Sequence, residues 1–271
     1  MHIGLLGVLQ FSINNVSIVP SARKIRNLLA LLSLNAGNLV TVSKIREELW
    51  GDEPPRSAST TLQTYVMQLR NRISRSVDDQ HNGDVARNIL ITAPNGYLLR
   101  AGDGCCDAIE FDRLAAWGNR LLDNEEHHGA AEALRAALAL WRGPALVDIE
   151  TGPVLTGEVI RLEERRRLIV ERRIELELLL GRHHAIVDDL SALAALDRTH
   201  ESVHGQLMVA LYRCGRRTQA LEVFSRLRTA MLDELGLEPA PWLHELQRAV
   251  LDAEPGLELE SYGIRGLLAR R

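Results

Sequence analysis

The C-terminal half of the chain matches itself at an offset of 34 residues, and a repeat of that length leaves few folds open. Gly181-Arg182 recurs as Gly215-Arg216, and the same offset pairs Ile169 with Val203, Ile174 with Met208, Leu178 with Tyr212, Leu190 with Phe224 and Leu193 with Leu227. This is the period of tetratricopeptide helix pairs, units that cannot bury an apolar face alone and must stack on their neighbours. Ala220 and Phe224 fit that repeat's Ala-x3-Phe element, where the earlier copy has Ile186 and Leu190. Amphipathic segments over 111–122 and 130–141 supply a weaker third pair, and Pro241 opens a closing helix to Leu251. Residues 104–256 are therefore expected to form an all-α, tetratricopeptide-like domain, with a C-terminal tail over 257–271.

The first hundred residues carry a different pattern. Ile3, Leu5, Leu9 and Phe11 fall on alternating positions, Asn14-Asn15 marks a turn, and Val16 and Ile18 resume the alternation, so 2–19 reads as an antiparallel ribbon. Pro20-Ser21 opens a leucine-rich helix that stops at Ala36-Gly37-Asn38, Gly37 being suited to the left-handed position after a helix. Thr41 or Ser43 caps a shorter second helix ending at Leu49-Trp50, broken by Gly51 and Pro54-Pro55. A third helix begins in the hydroxyl cluster 57–61 and carries Leu62, Val66, Leu69 and Ile73 as one buried stripe. After a polar stretch from Asp78 to Asn88, two apolar runs flank Pro94-Asn95-Gly96, and Asn-Gly between such runs signals a hairpin. Ribbon, three helices and hairpin form a winged helix-turn-helix over 1–103, which makes the whole chain mainly α with small β.

Net charge is −4, which argues against a nucleic-acid partner until the chain is divided. Residues 1–103 hold 11 Lys and Arg against 8 Asp and Glu, while the remainder holds 21 against 28. Such asymmetry suggests a basic contact module joined to an acidic partner module. From Pro54 to Val77 there are four arginines and no acid. Opposite the leucine stripe lie Thr60, Gln63, Thr64, Met67, Gln68, Arg70 and Asn71, with Arg72 and Arg75 beyond them. A major groove accepts such a face, because base edges take amide and guanidinium partners and phosphate repels carboxylates. The hydroxyls of Ser59 and Thr60 at the helix start suit phosphate oxygens. A competing reading is a helical-repeat scaffold or adaptor whose N-terminal module binds protein rather than DNA; duplex binding at several salt concentrations separates the two.

Other motifs weigh less. His200-Glu201-Ser202-Val203-His204 matches the zincin pattern, but Leu207 and Ala210 stand where the longer metzincin form needs Gly and His, and Glu201 falls where a repeat helix begins. No metal is expected. Neither lysine, Lys24 or Lys44, follows a glycine in a Walker A arrangement, so no nucleotide cofactor is expected and the chain is read as doing no chemistry. Cys105, Cys106 and Cys214 form neither a disulfide framework nor a Cys-x-x-Cys site. His127-His128 and His183-His184 sit at inter-helix turns, and Glu163 to Arg167 reads as a solvated face with a Glu163–Arg167 pair. No apolar run approaches the roughly 18 residues of a membrane span, and the N-terminus lacks signal-peptide features, so a cytoplasmic protein is expected.

Five stretches carry a resemblance. Leu49 to Pro55 (LWGDEPP), Leu62 to Arg70 (LQTYVMQLR) and Gly96 to Leu99 (GYLL), followed by Leu140 to Leu146 (LWRGPAL) and Leu235 to Pro239 (LGLEP), resemble the SARP (Streptomyces antibiotic regulatory protein) family over residues 3 to 253. The resemblance implies an OmpR/PhoB-type winged-helix DNA-binding domain followed by a bacterial transcriptional activation domain. It implies a homodimer on direct repeats of double-stranded promoter DNA near the −35 element of antibiotic-biosynthesis genes, with recruitment of RNA polymerase through its sigma factor and other subunits. Thr64, Tyr65, Met67, Gln68, Arg70, Asn71 and Arg72 fall on the recognition helix, and Asn95, Gly96 and Tyr97 on the wing. The loop before the recognition helix, with Trp50, Asp52 and Glu53, is where such activators touch polymerase, Trp50 itself packing inward. Gln68 stands where the family commonly has arginine, which shifts the expected contact toward adenine. Larger members add an ATPase domain, so this chain reads as a small member or a fragment of a large one.

Overall fold

The computed structural model describes residues 1–77, 84–102 and 104–253. The expected tail over 257–271, and the part of the polar stretch at 78–83, lie outside the described residues. Two compact units emerge, residues 1–125 with 132–170, and residues 126–131 with those from 171 onward.

The first unit opens with a three-stranded antiparallel sheet, β1 (His2–Gly4), β2 (Gln10–Ile13) and β3 (Val16–Ser17), in that order. Asn14 and Asn15 both take positive φ, which is the requirement of a two-residue type I′ hairpin. Helix α1 (Arg23–Leu34) presents its leucines inward, and Gly37 beyond it turns left-handed and donates its N–H to Leu99 O. A short strand that pattern reading passes over, β4 (Leu39–Thr41), then enters the sheet of the hairpin strands β5 (Leu90–Ala93) and β6 (Gly96–Leu99), in the order β4-β6-β5. Thr41 ends β4 and caps α2 (Val42–Trp50), its hydroxyl accepting from Lys44 N at 3.2 Å. Helix α3 (Ala58–Ser76) buries Leu62, Val66, Leu69 and Ile73, as the stripe required, and a one-turn-and-a-half helix α4 (Asp84–Ile89) leads into β5.

This unit also contains α5 (Asp107–Asp123), most of α6 (His127–Ala139) and the first part of α7 (Pro153–Leu179). Carboxylates tie them to the winged helix. Residues 5–9 lie outside any strand and all but Val8 are buried, so the buried amides need partners. Asp107 accepts from Leu5 N at 2.7 Å and Leu6 N at 3.1 Å, and Asp148 accepts from Leu9 N at 2.8 Å and from Arg26. Arg142 N donates to Leu6 O and Leu146 N to Leu5 O. Glu48, only 3% exposed, accepts from Asn27 Nδ2, from Gly152 N at 2.7 Å and from Leu155 N at 2.8 Å, so an α2 carboxylate caps α7. The expected Glu163–Arg167 pair is replaced: Glu163 accepts from Ala145 N and faces Arg166, while Arg167 pairs with Glu164, because the backbone amide at 145 claims the Glu163 carboxylate.

The second unit realises the repeat. A 3₁₀ turn (His183–Ala185), α8 (Val187–Leu196), α9 (Glu201–Arg213), α10 (Arg217–Leu235) and α11 (Pro241–Asp252) follow the end of α7. Gly181 and Gly215 both take φ near +72°, and the bonds around them repeat: Arg182 N to Glu177 O and Arg216 N to Leu211 O, each 2.8 Å. Ile174, Met208, Leu190, Phe224 and Leu227 are buried. Gly205 permits close packing of α11, since a Cβ there would lie 2.5 Å from the Trp242 ring. No helix among the described residues is long and apolar enough to cross a membrane.

Candidate nucleic-acid interface

Helix α3 is anchored by its apolar stripe, and that fixes what its other side presents. Ser59, Thr60, Gln63, Thr64, Met67, Gln68, Asn71 and Arg75 are all exposed, with Met67 at 55%, and they recur at the three- and four-residue spacing of one helix side. No carboxylate lies on the helix. Thr64 Oγ1 donates to Thr60 O at 3.0 Å, leaving the hydroxyl lone pairs outward. Arg56, Arg72 and Arg75 make no ion pair among the described residues. Arg72 is half-buried.

Three predicted residues do something other than face outward. Tyr65 is half-buried and stacks on Trp50, centroids 6.5 Å apart, and the Lys24 ammonium sits 5.1 Å from the Trp50 centroid on the other element. Trp50 is thus only partly covered, and its ring holds α1, α2 and α3 in one ladder. Arg70 bends toward the hairpin: Nε and Nη2 donate to Leu90 O at 3.0 and 2.7 Å, and Nη2 donates to Thr92 Oγ1 at 2.8 Å. Burial lowers the Arg70 pKa, with Arg87 adding to the effect and Tyr97 opposing it. Thr92 and Lys24 were invisible to sequence reasoning, although Thr92, two residues from Leu90, shares its side of the strand.

The wing turn also differs from the Asn-Gly expectation. Ala93 pairs with Gly96, so the loop is Pro94-Asn95, and only Asn95 takes positive φ. Proline followed by a left-handed asparagine has the residues and φ signs of a type II turn. Gly96 is needed in the strand, where a Cβ would lie 2.3 Å from Val40 O. Gly96 and Tyr97 are buried, so they shape the wing, whereas Asn95 is exposed at its tip. Asp52 and Glu53 are exposed in the turn between α2 and α3, which Gly51 opens with φ of +58°.

The zincin-like residues are occupied structurally. His200 Nδ1 accepts from Val203 N at 3.3 Å as the cap of α9, His204 Nδ1 bonds His200 O at 3.0 Å, and Glu201 accepts from Ala240 N at 2.6 Å. Among the described residues no group of three or more His, Cys, Asp or Glu side chains is placed to hold a metal ion.

A winged helix with a solvent-facing, acid-free recognition helix, in one chain with tetratricopeptide-like helices, defines a DNA-binding transcriptional activator. Residues 18–99 match the family model "Transcriptional regulatory protein, C terminal", and residues 106–251 match "Bacterial transcriptional activator domain". The chain belongs to the SARP family of OmpR-type transcriptional activators. It is 45% identical over 258 residues to the regulatory protein DnrI of Streptomyces peucetius, covering 95% of this chain and 94% of that one. It is 32% identical to the transcriptional regulator RedD of Streptomyces coelicolor, covering 96% of this chain and 73% of RedD. The structure of Mycobacterium tuberculosis EmbR, solved with a low-affinity phosphopeptide, superposes with a TM-score of 0.77 at 30% identity, over 99% of this chain and 70% of EmbR.

Proposed function

We propose that this activator inserts α3 into the major groove of direct repeats near the −35 element of antibiotic-biosynthesis promoters, in the cytoplasm, and recruits RNA polymerase. Gln63, Thr64, Met67, Gln68 and Asn71 read base edges, where amides favour adenine and the methionine suits a thymine methyl. Ser59, Thr60, Arg72 and Arg75 hold phosphates, and Asn95 brings the wing tip to the backbone. Two copies bind side by side, with half-sites about one helical turn apart. Trp50, Asp52 and Glu53 meet the polymerase sigma factor and neighbouring subunits, and the protein works by binding alone, with no metal, cofactor or catalysis.

The observation that carries this reading is the exposed, carboxylate-free side of α3. A genome-wide footprint of bound DNA, followed by gel shifts at several salt concentrations, tests it. A recurring direct repeat, bound with affinity that falls steeply with salt, is the expected result. Failure to bind duplex at any salt, with capture of a protein by residues 1–103, gives the adaptor reading instead.

A further inference from the structure

We infer that Arg70 is a positioning residue that locks the wing to the recognition helix, and is not itself a DNA contact. This rests on the proposed role of α3 and the hairpin as the DNA-binding surface, and it displaces the expectation that Arg70 grips a phosphate or a guanine.

The chemistry of a sheet edge comes first. In the order β4-β6-β5, strand β5 has a neighbour on one side only, so its outer carbonyls lack a strand partner. Leu90 O is one of these, and Arg70 supplies its donors. Thr92, two residues along, offers its hydroxyl to the same guanidinium. Nη2 carries two hydrogens, and the two bonds it makes, 2.7 Å to Leu90 O and 2.8 Å to Thr92 Oγ1, use both. Every bidentate grip of an arginine on guanine or phosphate runs through the Nε–Nη2 or the Nη1–Nη2 edge. Neither edge is free here. The half-buried state of Arg70 agrees, since its helix neighbours Met67, Gln68 and Asn71 are all exposed.

The consequence is geometric. The recognition helix and the wing meet different parts of a duplex, and Asn95 at the wing tip lands correctly only if β5 holds its place against α3. A planar fork serves this purpose and an ammonium does not, because lysine offers a point charge without the fixed donor spacing.

The test uses the full chain, a duplex selected on the wild-type protein, and the variants R70K, T92V and R70K/T92V, the last two with R70A for comparison. T92V removes the hydroxyl and no charge. Expected are a weakening of about tenfold for R70K and for T92V, the order that one charge-assisted hydrogen bond supplies, and a double variant no weaker than the worse single one. The hydroxyl-radical footprint should shrink under the wing and persist under α3. In the free protein, amides of β5 should exchange hydrogen faster in R70K and T92V. A phosphate contact gives the opposite pattern: R70K binds like wild type, T92V is neutral, and R70A lowers the salt slope by about one. That pattern, or unchanged β5 exchange, overturns the clamp. If wild type binds no duplex, the DNA reading fails, while the exchange measurement still decides whether Arg70 holds the wing.

Discussion

Replacing Glu48 with alanine removes a carboxylate that is 3% exposed and that serves three donors: Asn27 Nδ2 at 3.1 Å, Gly152 N at 2.7 Å and Leu155 N at 2.8 Å. Two of these are amides at the start of α7, where orphan N–H groups and the helix dipole both favour an anion. Leaving a buried donor unmatched costs about 1–3 kcal/mol. Water entering the vacated space restores part of this, so the net loss for Glu48→Ala is about 3 kcal/mol, and for Glu48→Gln, which keeps one acceptor oxygen, about 1–2 kcal/mol. In a unit of this size about 3 kcal/mol lowers the melting temperature by about 6–12 °C. Thermal denaturation followed by circular dichroism, with urea titration as a second probe, reads the effect. Gly152→Ala checks the same approach independently, because its Cβ would lie 2.1 Å from Glu48 O. A Glu48→Ala variant that melts within about 1 °C of wild type would refute the reasoning, since a carboxylate in that role cannot be silent.

Gly96→Ala forces a Cβ against Val40 O at 2.3 Å, so β4 should separate from β6; a loss of about 2–4 kcal/mol in denaturant titration is expected. Asn71→Ala should relax specificity at one base position with the salt slope unchanged, whereas Arg75→Ala should lower that slope by about one with specificity intact, both read from gel shifts on selected duplexes. Burial, with Arg213 and His184 adding, lowers the His183 pKa to about 4, so the unfolded chain binds more protons than the folded one between about 4 and 6.5. Stability is then complete above pH 6.5 and falls as pH drops toward 4, by about 1 kcal/mol after solvent screening, and a His183→Asn variant should flatten that slope in pH-dependent melts. A fragment of residues 1–103 lacks Asp107, Arg142, Leu146 and Asp148, which satisfy the backbone of residues 5–9, so it should melt well below a fragment of residues 1–170. Equal melting temperatures would show that those bonds are dispensable.

Legibility followed periodicity. The stripe Leu62, Val66, Leu69 and Ile73 announced α3 because its length allows a 3.6-residue period to repeat, and the 34-residue offset announced the paired helices because Gly181 and Gly215 mark the same left-handed corner. Three-residue β4 has no room for a period, and Thr41 hides it by doubling as a helix cap. Six-residue α4 is too short and polar to show an apolar face. The wing turn was misplaced by one residue because Asn-Gly and Pro-Asn are both turn pairs, and only the distance from Gly96 to the Val40 carbonyl decides between them. Exposed positions of α3 were readable, since the buried stripe dictates them. The direction taken by Arg70 was not, because it depends on an edge carbonyl that a linear pattern does not contain.

The charge asymmetry changes meaning once partners are assigned. Counted by sequence, the acids beyond residue 103 suggest a negative surface, but several are spent inside the first unit. Asp107 and Asp148 satisfy backbone amides, Glu163 holds Ala145 N, and Asp112 faces both Arg161 and Arg165. Acids so engaged contribute little field outside the protein, because each is matched at short range. On the winged helix the balance runs the other way, as Arg56, Arg72 and Arg75 have no acidic partner among the described residues. A phosphate beside α3 feels the unpaired cations close to it more than the net charge of the whole chain. A chain with net charge −4 therefore presents a locally cationic α3: Glu48 points into the protein, and the exposed acids Asp52 and Glu53 stand in the turn before the helix and not on it.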